Sequence, residues 1–264
     1  MRHLEPHSIL MVGCGKMGGA LLGNWMRASD TFTVIDPALD TVPAGAELVR
    51  EMQELSGRSF DVIVIAVKPQ LIDAVMPAYS AMLAERGYAL SIAAGCEIAR
   101  IKSAMGNVPI IRVMPNLPAA IGKGVSAVCG SPDASDVHLA HASAMMERTG
   151  TVVTVANEDK IDRFTAIAGS GPGYIFEFAR SYVDAAMELG FNKREARTMV
   201  LDMIEGTIAM ARSSHDDLSD LRNSVTSKGG TTAAGLNALN GEGDLSVLLK
   251  NTLDAAYSRA LELK

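Results

Sequence analysis

Apolar residues in the first part of the chain come in short runs rich in β-branched side chains, separated by stretches whose apolar positions recur every three or four residues. The runs fall at residues 9–12, 32–35, 61–67, 89–92, 110–114, 124–129 and 151–155. Strands alternating with helical patterns predict a mostly parallel sheet with helices on both faces. Residues 61–67, Asp-Val-Ile-Val-Ile-Ala-Val, are almost continuously β-branched, as a strand buried on both faces must be, and are expected mid-sheet. Residues 46–57 fit both a short strand followed by a helix and a single helix, so the pattern leaves them open.

After Val155 the strand signal ends. Asn157-Glu158-Asp159-Lys160 reads as a helix start, an asparagine cap followed by an acidic first turn. Amphipathic patterns then run over residues 174–189 and 193–212, separated by Gly190-Phe191-Asn192, and over residues 245–263. The expected architecture is α/β followed by all-α. Residues 1–156 form a Rossmann-like domain and residues 157–264 an all-helical one, with no repeat or low-complexity tract between them.

Composition narrows the function classes. The 264 residues carry 24 Lys and Arg against 30 Asp and Glu, a net charge of −6. No basic surplus is available for nucleic acid, and no nucleic-acid partner is expected. Cys14, Cys96 and Cys129 are odd in number and lack CxxC spacing, which suits a reducing cytoplasm rather than a disulfide framework or a zinc cluster. The first apolar run stops at Gly13, too short for an export signal, so none is expected. The longest uncharged stretch of the later half, residues 164–176, is interrupted by three glycines and a proline, and no membrane span is expected.

The candidate chemistry starts directly after the first strand, at Gly13-Cys14-Gly15-Lys16-Met17-Gly18, followed by an apolar helix pattern. In this strand–turn–helix setting GxGxxG predicts dinucleotide binding. The first glycine permits the turn, the second admits the pyrophosphate, and the third lets helix and strand pack closely. The second strand ends at Asp36, positioned to accept hydrogen bonds from an adenosine ribose, which favours NADH; Asp36-Pro37 also reads as a plain turn, and NADPH stays open. No basic residue follows until Arg50. Ala66-Val67-Lys68-Pro69 closes the expected central strand, where ligands bind in open α/β sheets, although Lys68 also suits an exposed cap. Asn116, between Pro115 and Pro118, is either an amide for the nicotinamide end or part of a rigid connector. Cys14 occupies a position that need not use its side chain.

A second glycine-rich segment, Val225-Thr226-Ser227-Lys228-Gly229-Gly230-Thr231-Thr232, precedes another apolar helix pattern. Its free N–H groups and the hydroxyls of Ser227, Thr231 and Thr232 would make an anion site; it is not a P-loop, because Lys228 precedes the glycines. Three glycines at residues 169–173 interrupt a helical region at about 1 kcal/mol each, so a close approach must offset them. His138 and His141 stand three apart with no third ligand nearby, and no metal is expected.

Taken in order, Gly13 to Gly18, Ala66 to Pro69, Met114-Pro115-Asn116, Gly169-Ser170-Gly171-Pro172 and Val225 to Leu239 resemble the motifs of pyrroline-5-carboxylate reductases over nearly the whole chain. The chain departs from the family pattern at Lys228, where proline is usual, and at Asn240, where glutamate is common. The resemblance implies hydride transfer from NADPH or NADH to the cyclic imine 1-pyrroline-5-carboxylate, the last step of proline biosynthesis. It further implies that Ser227, Gly229, Gly230, Thr231 and Thr232 hold the small-molecule substrate's carboxylate, and that the helical domain dimerises, as a homodimer or an assembly of dimers. No histidine occurs in these motifs, so catalysis by positioning is expected, with Thr232 or a water hydrogen-bonding the ring nitrogen. Two alternatives are a nucleotide sensor without turnover and a β-hydroxyacid dehydrogenase. The latter needs a helix lysine that is missing between Gly173 and Lys193.

Overall fold

In the computed structural model, which describes residues 6–26 and 29–264, the chain forms two compact units: the chain through Ser170 together with Ala256–Lys264, and Gly171–Ala255. The first contains, in order, β1 (Ser8–Val12), α1 (Lys16–Trp25), β2 (Thr31–Ile35), β3 (Glu47–Val49), β4 (Phe60–Ile65), α2 (Ile72–Val75), β5 (Leu83–Ser91), α3 (Ile98–Met105), β6 (Ile110–Met114), β7 (Gly124–Gly130), α4 (Asp136–Glu147), β8 (Gly150–Thr154) and α5 (Glu158–Phe164). The eight strands make one sheet in the order β3-β2-β1-β4-β5-β6-β7-β8. Neighbours run parallel except β6 and β7, so β7 and β8 point against the rest.

The expected central strand lies mid-sheet, between β1 and β5. Alternate side chains of β1 and β4 enter opposite cores. Ile9, Met11, Val62 and Val64 pack with Leu21, Leu22 and Trp25 of α1 and Met145 and Met146 of α4. Leu10, Val12, Ile63 and Ile65 pack with Ile72, Met76 and, from α3, Ile101 and Met105. This two-sided burial is why these strands carry no polar alternation. Residues 46–57 resolve as β3 and a one-turn 3-10 helix, Met52–Leu55, in which the Glu51 and Glu54 side chains cap each other's backbone. β5 starts at Leu83, earlier than its apolar run, because its polar first half reaches Phe60 across a register shift.

The expected domain boundary at Ala156 and the division into compact units do not coincide. Residues 157–170 belong with the sheet because α5 is tied to it: Ile161 is buried with Ala127 and Cys129 of β7, and Arg112 of β6, itself buried, pairs with Glu158 at 2.7 Å and Asp162 at 3.3 Å. The C-terminal segment returns to the same place. Lys264 lies 2.9 Å from Asp162 and 3.0 Å from Glu97, which together hold its ammonium above the usual lysine range, and Tyr257 donates its hydroxyl to Asp159.

The second unit holds α6 (Gly171–Glu188), α7 (Lys193–Ser213), α8 (Leu218–Ser224), α9 (Thr231–Asn240) and most of α10 (Asp244–Glu262). Between α5 and α6 the backbone opens into a π turn, Thr165–Gly169, whose Ser170 N–H donates to Thr165 C=O. Glycine is therefore absorbed at a wide turn and in the first turn of α6. The helices bury little. Only Ala179 of α6 and Ala196 and Val200 of α7 are buried, and α8 and α9 have no buried residue, while Phe176, Leu189 and Met210 are 63%, 82% and 66% exposed. No described helix is long and apolar enough to cross a membrane.

Removing Arg112 leaves Glu158 without its buried counter-charge and Asp162 with Lys264 alone, the costly way to break such a cluster. Arg112→Met should destabilise the chain by about 3–5 kcal/mol, measured as a lower midpoint in urea denaturation.

Candidate active site

Three strand ends converge beside the first glycine loop. Val12 of β1 is in register with Ile35 of β2 and Ile65 of β4. Beyond them Gly13 N–H donates to Ile35 C=O and Ala66 N–H to Val12 C=O, both at 2.9 Å. Strand order turns from β1–β2 to β1–β4 here, the crevice where open α/β sheets bind ligands. A cavity of about 540 Å³ opens there, lined in part by Gly13, Cys14, Gly15, Asp36, Ala66, Val67 and Lys68.

Each glycine of the loop has its own reason. Gly13 has φ +80°, and a Cβ there would stand 3.0 Å from Val67 Cγ1 and 3.1 Å from the Ala66 carbonyl. A Cβ on Gly15 would meet nothing within 4 Å, so the space beside it is open. A Cβ on Gly18 would touch Ala66 Cβ at 3.4 Å, the close contact of α1 with the sheet. The N-terminus of α1 has neither a side-chain cap nor an acidic residue in its first turn. Its first N–H groups are unused by the helix and favour an anion. Loop, open space and free amides together fit a pyrophosphate.

Lys16 and Met17 start α1, and the Met17 side chain packs against the core. Pro69 begins the 3-10 turn Pro69–Leu71, for which Lys68 is the N-terminal cap. Asp36 both holds the loop and makes a turn: one carboxylate oxygen accepts the Cys14 N–H at 2.8 Å, the other the Ala38 N–H at 2.9 Å. Burial, then the Asp36 charge, push the Cys14 thiol upward, so a helix N-terminus does not activate it.

Asn116 departs from the expected ligand role. Its amide oxygen accepts the Val125 N–H at 2.9 Å and its amide nitrogen donates to Ala168 C=O at 3.0 Å. The side chain is a buried tie between β7 and the π turn, and it does not line the cavity. The connector reading of this segment is the one the geometry follows.

Sequence reasoning did not place Arg50 or Tyr79 on the cavity, and both line it. Arg50 is held there by Leu39 C=O, at 3.2 Å from Nε and 3.1 Å from Nη2. Its signal was its place as the first basic residue after Asp36. Tyr79, on the 3-10 turn Met76–Met82, had no motif.

In the second unit, Gly229 adopts φ +71° and Gly230 caps α9 without any side-chain hydrogen bond. A Cβ on Gly230 would overlap Ser227 Oγ. The turn closes through Gly230 N–H to Ser227 C=O at 3.0 Å. Ser227, Thr231 and Thr232 are exposed. As at α1, the amides at the start of α9 are free of a cap, here with hydroxyls beside them.

A family model described as pyrroline-5-carboxylate reductase dimerisation matches residues 158–263, and one described as NADP oxidoreductase, coenzyme F420-dependent, matches residues 8–95. The pyrroline-5-carboxylate reductase of Pseudomonas aeruginosa is 31% identical over 271 aligned residues, covering 97% of this chain and 96% of that one. Among solved structures, the Coxiella burnetii pyrroline-5-carboxylate reductase superposes with TM-score 0.90 at 29% identity, covering 98% and 99% of the two chains. The Plasmodium falciparum pyrroline carboxylate reductase with NADP bound gives 0.85 at 25% identity, with the same coverage. With likeness running from the first strand to the last helix and both glycine turns built as described, the chain belongs to the pyrroline-5-carboxylate reductase family.

Proposed function

We propose that the chain reduces 1-pyrroline-5-carboxylate to proline with a nicotinamide dinucleotide. The observation that carries the reading is a pair of uncapped, glycine-led helix starts, α1 with an open cavity and α9 with three free hydroxyls. One suits a pyrophosphate, the other a carboxylate. The dinucleotide supplies hydride to the carbon of the C=N bond, and the nitrogen gains a proton to give the secondary amine.

The chain's own residues act by holding. The α1 amides and the space at Gly15 take the phosphates, and the apolar wall that includes Leu71, Val75 and Tyr79 suits a flat base. Ser227, Thr231 and the free amides of Thr231 and Thr232 at the start of α9 take the carboxylate. Thr232 hydrogen-bonds the ring nitrogen, where the proton supplied by solvent is kept, and an iminium accepts hydride more readily than a neutral imine. Fixing ring and dihydronicotinamide in one geometry is the main catalytic contribution. The α6 helix contains no lysine, so it offers no β-hydroxyacid dehydrogenase acid.

Asp36 favours NADH by accepting ribose hydroxyls. A second reading rests on Arg50, whose guanidinium lines the same cavity and would pair with a 2′-phosphate. The exposed apolar faces of α6 and α7 support a homodimer or an assembly of dimers, since a unit that buries so little cannot stand uncovered. Three free cysteines agree with a reducing cytoplasm.

With freshly prepared substrate, purified protein should oxidise reduced cofactor, followed by its absorbance. A faster rate with NADH assigns selection to Asp36. A faster rate with NADPH assigns it to Arg50, and Arg50→Ala should then raise the KM for NADPH about tenfold. Absence of turnover with either, despite cofactor binding, would replace the reductase by a sensor. Thr232→Ala should lower kcat about tenfold or more, and an unchanged kcat removes its proposed role. Gly15→Ala should keep the wild-type melting temperature while weakening cofactor binding about tenfold, whereas Gly13→Ala should also lower the melting temperature, through strain of roughly 1–2 kcal/mol. Light scattering should return at least twice the 27.8 kDa chain mass, and a monomer mass would refute the assembly.

A further inference from the structure

At the opposite end of the same sheet, before β1 and β2 begin, the chain brings together three side chains that the reductase reading leaves unused. His7 precedes β1, Asp30 precedes β2, and His141 lies in the middle of α4. One ligand atom from each can be chosen so that all three lie within 4.8 Å of one another. The two imidazoles stack, with ring centroids 3.9 Å apart. His141 is 4% exposed.

Two ring nitrogens there are unaccounted for. His7 Nδ1 and His141 Nε2 are buried and have no hydrogen-bond partner among the described residues. Buried polar atoms in native proteins are nearly always paired, so two orphans in one spot point to a missing partner. The remaining contacts define what that partner is. His141 Nδ1 is 2.8 Å from Tyr88 Oη; when Nδ1 carries the hydrogen and donates it, Nε2 keeps its lone pair. Asp30 Oδ2 accepts from Arg148 at 3.2 Å and Oδ1 accepts the His7 N–H at 3.1 Å. Oδ1 also stands 3.9 Å from His7 Nδ1, too far for a hydrogen bond. A ligand atom from each of two imidazoles and one carboxylate therefore lies in one place, and because the rings stack at 25° they must turn for their in-plane lone pairs to meet at a single ion.

We propose that His7 Nδ1, His141 Nε2 and Asp30 Oδ1 bind one divalent transition-metal ion of the zinc class, with water as a fourth ligand. Two nitrogens and one oxygen suit borderline ions rather than calcium or magnesium, which prefer all-oxygen sets. Ligand bonds of about 2.0–2.2 Å require the three side chains to close in by roughly 1 Å. Tyr88 then holds the His141 ring as an outer partner of the kind metal-bound histidines use. The pair weighed on sequence spacing, His138 and His141, is not the site: His138 Nδ1 accepts the Ser135 N–H, and Nε2 lies 3.2 Å from Arg86 C=O. Such an ion would clip the starts of β1 and β2 to α4, away from the cofactor cavity.

The test uses the untagged full-length chain, stripped with chelator and titrated with zinc chloride in equilibrium dialysis. Wild type should bind one zinc per chain and melt at a higher temperature in its presence. His7→Gln should weaken zinc binding at least about tenfold, while His138→Gln and His215→Gln bind as wild type does. Substoichiometric binding by wild type, or equal binding by His7→Gln, overturns the proposal. Because His7→Gln could disturb the first strand, Co²⁺ is added to wild type as well. An intense visible spectrum of tetrahedral cobalt supports the site, and the weak spectrum of an octahedral aquo ion overturns it.

Discussion

The left-handed backbone of Gly13 is the constraint on which the first unit's site depends. The residue sits where β1 stops, against the carbonyl of Ala66 and the side chain of Val67. With any Cβ present, the left-handed backbone would be strained and the β4 exit loop would have to give way by a few tenths of an ångström beneath the start of α1. Asp36 completes the arrangement by gripping the next amide, Cys14 N–H. The opening of the cavity beside the loop and the free amides of α1 follow from this turn. It is a small feature with a long reach.

A different constraint governs the second unit. Its helices have the amphipathic pattern of a core, yet α6 leaves Phe176 and α7 leaves Met210 largely exposed. Helices of this length draw most of their stability from packing an apolar face. The single chain supplies only part of that packing, so assembly and stability are the same question for this unit. The start of α9 inherits the dependence, because α9 itself has no buried residue.

Much of this was legible in the chain because the signals were local. The unbroken β-branched run of β4 announced a two-sided burial, and glycines at 13, 15 and 18 announced a turn of known purpose. Asn157 announced the start of α5, whose cap it is. Other features depended on distant partners. Nothing near Asn116 reveals that its amide closes on Val125 and Ala168, and nothing near Glu158 reveals that Arg112 will hold it in the first unit. Arg50 reaches the cavity because Leu39 folds back to meet it. Sequence spacing sets His141 beside His138 on its own helix, whereas in the fold it stacks on His7 before β1 and clusters with Asp30 before β2.

The placement of β1 between β2 and β4 also bears on the order in which the molecule assembles. β2 lies close to β1 along the chain, but β4 pairs with it only after a loop of some fifty residues has closed, as the Ser8 N–H to Asp61 contact across 53 positions shows. Loop closure on that scale slows folding, and the parallel pairing it permits comes after the local one. The floor of the Gly13 turn belongs to the exit of β4. The nucleotide cradle is therefore a non-local structure, and a ligand bound in it stabilises the paired sheet rather than any one segment.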